Sequence, residues 1–148
     1  MRLEDKISLV TFSSEARILL EPTNITDKAR IFTIIRSMRV EGLTDENAGI
    51  SMAYDDVLEH YLESGNNQVI VMTDGAFNSR SKHQETLDLA RDNNTKVSLS
   101  IMAFYPPDYI TPYLKEIVLE GKGHFLEIQA GDNPVLYLLE EIKYNAKQ

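Results

Sequence analysis

The chain has 148 residues, 43% of them apolar and 26% charged, an ordinary globular composition with enough length to bury a core. Fifteen basic against 23 acidic residues give a formal charge of −8, which argues against nonspecific nucleic-acid or anionic-membrane binding. With no cysteine, disulfides, thiolate metal sites and cysteine nucleophiles are excluded. There is no run of roughly 18 apolar residues, and Met1–Lys6 is too polar for an export signal, so membrane insertion by this chain is not expected. In chain order, Lys6–Phe12 alternates apolar and polar residues and turns at Ser13-Ser14. Ala16–Leu20 is a second run, which Glu21-Pro22 should end, and the short separation predicts an antiparallel hairpin. From Thr26 the period lengthens. Ile31, Ile34, Ile35 and Met38, with Phe32 alongside, predict a helix capped by Thr26 or Asp27. Gly42–Asp45 breaks that pattern. Ile50, Ala53, Tyr54, Val57, Leu58 and Tyr61 then predict a second helix, capped by Thr44 or Asp45, with Gly65 past its end.

Val69-Ile70-Val71-Met72 is a continuous apolar run and reads as a strand buried on both faces. It leads into the polar turn Thr73-Asp74-Gly75, where glycine lets the backbone bend away. In an open α/β sheet, ligand chemistry gathers outside the carboxyl ends of strands, and Asp74 stands there. Ser81–Gln84 has capping-box spacing for a helix that carries Leu87 and Ala90 inward and ends at Asn93-Asn94. Val97–Phe104 is another strand, closed by Pro106-Pro107. A short helix with Leu114, Ile117 and Val118 follows, with Gly121 and Gly123 after it. His124–Ile128 is a final strand, and Asn133-Pro134 opens a helix with Val135, Leu138, Leu139 and Ile142 on one face. After the hairpin, this alternation of helices and strands predicts an α/β domain with a mostly parallel sheet spanning residues 1–148.

Three stretches carry a family resemblance. They are Asp5–Ser13; Gly42-Leu43-Thr44 followed by Ala48-Gly49-Ile50; and Val69–Asn78, with a weaker match at Gly121–Phe125. With these, the chain resembles a von Willebrand factor A domain of the bacterial kind. The resemblance implies a three-layer, Rossmann-like α/β fold with an antiparallel edge hairpin and a non-enzymatic role in binding a protein partner. It also implies a metal-ion-dependent adhesion site for a divalent cation, usually Mg²⁺, at the top of the sheet. Thr44 matches that site's second loop and Asp74 its third. The site's first loop, Asp-x-Ser-x-Ser, is absent from this sequence, and the chain begins where the family's second strand begins. The missing strand lies in the family between those matching residues 6–12 and 68–73. A domain incomplete at its amino end is therefore expected, with a weak or absent Mg²⁺ site. Its two strand edges would either pair directly or be satisfied by a second copy in a homodimer.

Other residues read more plainly. His60, His83 and His124 lie on separate elements without ligand spacing, and Ser13-Ser14 lacks the surroundings of a nucleophile. Glu140-Glu141 and Asp55-Asp56 read as solvated helix faces, and Tyr105–Tyr109 as a rigid exposed turn, with a recognition loop as the alternative. The rival to a binding module is a small α/β enzyme or phosphoacceptor using Asp74 as receiver domains do. A receiver needs an acidic pair after its first strand and a lysine after a later strand, whereas Lys96 precedes its strand.

Overall fold

A computed structural model describes residues 4–39, 45–75 and 82–145. The hairpin is β1 (Lys6–Phe12) and β2 (Ala16–Asn24), followed by α1 (Lys28–Ser37) and α2 (Glu46–Glu59). Then come β3 (Gln68–Thr73), α3 (His83–Asn93), β4 (Ser98–Phe104), α4 (Thr111–Glu120), β5 (Lys122–Ile128) and α5 (Pro134–Asn145). Pro22 does not end its strand. The pairing passes from Ile7 opposite Thr23 to Leu9 opposite Leu20, so Glu21 and Pro22 fall in an irregularity of the ladder. A proline is tolerated at such a bulge because no ladder N–H is required of it.

Both cap expectations for the first two helices resolve to aspartates. Asp27 accepts from Arg30 N at 3.2 Å and Asp45 from Ala48 N at 3.2 Å. The predicted stripe of α1 is only partly covered: Ile31 and Ile34 are half-buried, Phe32 is 55% exposed, and Ile35 and Met38 are exposed too. By contrast α2 buries Ile50 and Tyr54 against β3. It approaches β1 so closely that a Cβ on Gly49 would lie 2.5 Å from the Phe12 ring. The capping box expected at α3 starts at Ser81, which lies outside the described residues. The helix begins at His83, the Lys82 side chain does not cap it, and Gln84 donates to Asp88 Oδ1.

Strands β3, β4 and β5 form a parallel sheet in that order, while β1 and β2 pair separately and antiparallel. Central β4 is almost wholly buried: Leu99, Ser100, Ile101, Met102 and Ala103 are all enclosed. The expectation that β3 is buried on both faces fails. Val69, Val71 and Thr73 face inward with the α2 side of the core, whereas Ile70 is half-buried and Met72 is 48% exposed. Side chains alternate across a strand, and on the second face of β3 cover falls away toward the carboxyl end, from Gln68, which bonds to Glu141 of α5, to Met72.

No ladder joins β1 to β3, so direct closure of the sheet does not occur. The two strands nevertheless run the same way. Ser13, just past β1, accepts from Asp45 N at 2.6 Å at the start of α2, and α2 then returns the chain to the amino end of β3. Between them lies a cleft of about 1710 Å³.

Two acidic residues taken as solvated are enclosed. Asp56 is 4% exposed, with Oδ1 3.6 Å from His60 Nδ1. Glu141, 3% exposed, accepts from Ser100 Oγ at 2.5 Å and Gln68 Nε2 at 2.9 Å, and its second oxygen lies 2.9 Å from His124 Nδ1. One carboxylate on α5 thus ties together all three parallel strands at their amino-terminal half. A buried carboxylate is tolerable only when hydrogen-bonded in this way.

Candidate functional site

The opposite, carboxyl-terminal pole of the sheet is where the sequence placed a site. Asp74 stands exposed at the end of β3. The turn under it is fixed from both sides: Gly75 N donates to Thr73 Oγ1 at 3.0 Å, and Gly75 adopts φ +80°. That φ favours glycine, and a Cβ there would also press on Pro106 and Ile110 at 3.1 Å. The β3 turn is therefore seated directly on the turn after β4. Tyr105 in that turn has φ +52°, and its N–H donates to Ile128 O at 3.0 Å. Pro106 is buried beneath it, while Tyr105 and Tyr109 are 61% and 71% exposed. Of the segment expected to be a rigid exposed turn, Tyr105, Asp108 and Tyr109 are exposed while Pro106 is buried and Pro107 half-buried, and it lies beside the Asp74 turn.

A second anchor at this pole is the ion pair of Asp45 and Lys82, 2.7 Å apart. The hydrogen bond from Lys82 is the largest influence holding the Asp45 carboxyl below its ordinary range, helped by the Ala48 N–H. The same bond raises Lys82. The start of α2 is thereby fixed to the end of β1 and the start of α3. Asn47 extends the link, donating to Glu85 at 3.0 Å and accepting from Thr86 at 3.3 Å.

Of the two residues matched to the metal site, Asp74 is at the sheet's carboxyl end, and Thr44 lies outside the described residues, as do Gly42-Leu43, Ala76-Phe77-Asn78 and Ser81. The chemistry of the pair fits Mg²⁺ poorly. One hydroxyl and one carboxylate leave most of an octahedral oxygen shell to water. Among the described residues no three His, Cys, Asp or Glu side chains come together as a metal-holding group. The histidines stay apart. His60 lies against Asp56, His124 against Glu141, and His83 stacks on Tyr113 with Nε2 3.0 Å from Glu116. Lys96 is exposed before β4, at the far pole from Asp74.

The family model for the von Willebrand factor type A domain matches residues 2–142. The chain belongs to the von Willebrand factor type A family. Among its relatives, the uncharacterized protein YfbK of Escherichia coli is 27% identical over 127 residues, covering 84% of this chain. The chain spans 22% of that relative's length. In fold, the domain is similar to the conserved hypothetical protein BatB from Bacteroides thetaiotaomicron, with a TM-score of 0.76 and 17% identity over 98% of this chain and 81% of that one. It is also similar to a von Willebrand factor type A structure from Catenulispora acidiphila, with a TM-score of 0.74 and 13% identity over 99% of this chain and 34% of that one. The α/β architecture with its antiparallel hairpin is thus that of the family. Among the described residues of this domain no helix is long and apolar enough to cross a membrane.

The sequence reading missed Glu141. Its signal was present but indirect: Gln68, Ser100 and His124 are polar residues in otherwise apolar strands, and Glu141 falls three residues after Leu138 on the same helical face.

Proposed function

We propose that this domain is a non-enzymatic protein-binding module whose partner docks on the carboxyl-end face around Asp74, Tyr105 and Tyr109. The observation that carries this reading is the pairing of an exposed carboxylate with two exposed tyrosines on turns braced by Gly75 and Pro106. Tyrosine offers large contact area at small entropic cost, and a rigid support lowers the cost of ordering the face. The net charge of −8 favours a protein surface over nucleic acid as partner. Thr44 and Asp74 are the remaining donors of a degenerate adhesion site, and Mg²⁺ binds this chain weakly or not at all.

A photo-crosslinking residue placed at position 109 in cells should yield a discrete protein adduct that Asp74→Ala abolishes. The same probe at exposed Lys96, on the far pole, should give none. Equal capture from both positions, or no adduct at position 109, would overturn the reading. Calorimetry with Mg²⁺ should show no tight site. A tight site lost in Asp74→Ala would restore the complete metal mechanism, and stable phosphorylation of Asp74 by a small phosphodonor would favour the phosphoacceptor.

A further inference from the structure

The parallel sheet ends at β5, whose inner edge pairs with β4 and whose outer edge pairs with no described strand. Such an edge presents a row of backbone N–H and C=O groups, and folded proteins commonly blunt it with proline, bulges or inward-pointing charges. The hairpin's outer strand is blunted in that way: β2 contains Pro22, and its ladder has two irregularities. By contrast β5 contains no proline and pairs regularly from Phe125 to Ile128. An open edge of this kind selects an extended backbone, because a strand matches its spacing of donors and acceptors.

Two helices frame that edge. On one face α4 turns one flank to α3, where Glu116 meets His83 and Glu120 meets Arg91. Its opposite flank therefore overhangs the open side of β5. There Lys115 Nζ lies 5.5 Å from the centre of the Phe125 ring, and Leu119, one turn on, is 77% exposed. On the other face α5 sends Glu141 inward to Ser100 and turns Leu138 and Ile142 toward β3, which leaves Glu140 on the β5 side. Glu140 lines a hollow of about 270 Å³ with His124, Leu126 and Glu141. Leu136, one turn back, is 57% exposed. Each face thus offers a charge over the middle of β5 and an exposed leucine beside it, and the two charges are opposite.

Charge decides the occupant. A second copy, pairing antiparallel over the full length of β5, would turn on a two-fold axis at Phe125. Lys115 and Glu140 would then each meet its own counterpart, and like charges placed opposite one another are destabilising. A lone strand brings no such helices, and its alternate side chains answer each face separately. We infer that the outer edge of β5 docks an extended segment of a partner protein, acidic and apolar on the α4 face, basic and apolar on the α5 face. The hollow beside Glu140 receives the basic side chain. This surface is separate from the Asp74 face, and either can fail without the other.

The test titrates the full 148-residue chain with a fluorescent seven-residue valine and leucine peptide carrying glutamate at its centre and arginine beside it. One control peptide has glutamate at both positions. The other has proline at its centre, which removes a ladder donor. Saturable binding of the first peptide is expected, with slowed hydrogen exchange confined to β5. Both controls should bind about tenfold more weakly, equivalent to ~1.4 kcal/mol. Glu140→Lys, at an exposed position, should keep the melting transition and reverse the preference in favour of the peptide with two glutamates. Absence of saturable binding, protection at β2 instead, indifference to the proline, or an unchanged preference in Glu140→Lys would overturn the inference. So would a concentration-dependent dimer that protects β5 without peptide, since the edge would then belong to a second copy.

Discussion

At the scale of single residues, the structure gives two buried or half-buried polar groups opposite fates. Tyr54 is 1% exposed and its hydroxyl is buried with no hydrogen-bond partner among the described residues, and burial pushes the phenol well above its ordinary range. An unsatisfied buried hydroxyl costs stability. Tyr54→Phe should therefore leave stability unchanged or raise it by up to about 1 kcal/mol in urea unfolding; a clear loss would show that the hydroxyl is satisfied. Asp45, by contrast, caps α2 and pairs with Lys82. Asp45→Ala should cost about 1 kcal/mol, mostly for the cap, because half-exposed ion pairs contribute little. The folded carboxyl titrates below its ordinary 3.8, so its ionic contribution is complete above that pH and is lost as pH falls through the depressed value. The stability difference between wild type and Asp45→Asn should shrink correspondingly on acidification. A difference independent of pH would mean that the pair does not form in solution.

At the scale of elements, periodicity located every described helix and strand, because each buries at least part of an apolar face or, like α1, carries one. Boundaries failed where a local exception outweighed the rule, as at Pro22, whose missing donor a bulge makes harmless. Face assignments failed for a different reason. Periodicity cannot say whether a neighbour is present to cover a face, so Met72, Ile35 and Met38 read as core and are exposed. The same limit hid Glu141, whose burial depends on three strands converging beneath α5. Removing that carboxylate leaves Ser100, Gln68 and His124 short of a partner. Glu141→Ala should cost about 3 kcal/mol, the scale for breaking a buried hydrogen-bonded charge. Glu141→Gln, which keeps an acceptor, should cost less. Denaturant midpoints at equal m-values would measure both, and a near-neutral Glu141→Ala would remove this network as the anchor of α5.

At the scale of the molecule, the family's sheet is present in two pieces, hairpin and three-stranded core, held by α2. The candidate face was legible because Thr73-Asp74-Gly75 ends an apolar strand, whereas its tyrosine neighbours depend on how the β3 and β4 turns stack, which no spacing in the chain encodes. Whether β1 and β3 would pair directly is a matter of packing, and they do not. Gly49 against Phe12 holds β1 on α2, and α2 is too well seated on Val69 and Val71 for the hairpin to slide across. The most direct test of this architecture is native-state hydrogen exchange on the chain alone, read strand by strand. Amides of β4, bonded within the buried centre, should be the slowest, while alternate amides of β1 and β3 that point into the cleft should exchange orders of magnitude faster. Uniform protection along β1 and β3, matching β4, would show that the sheet is closed and contradict the account.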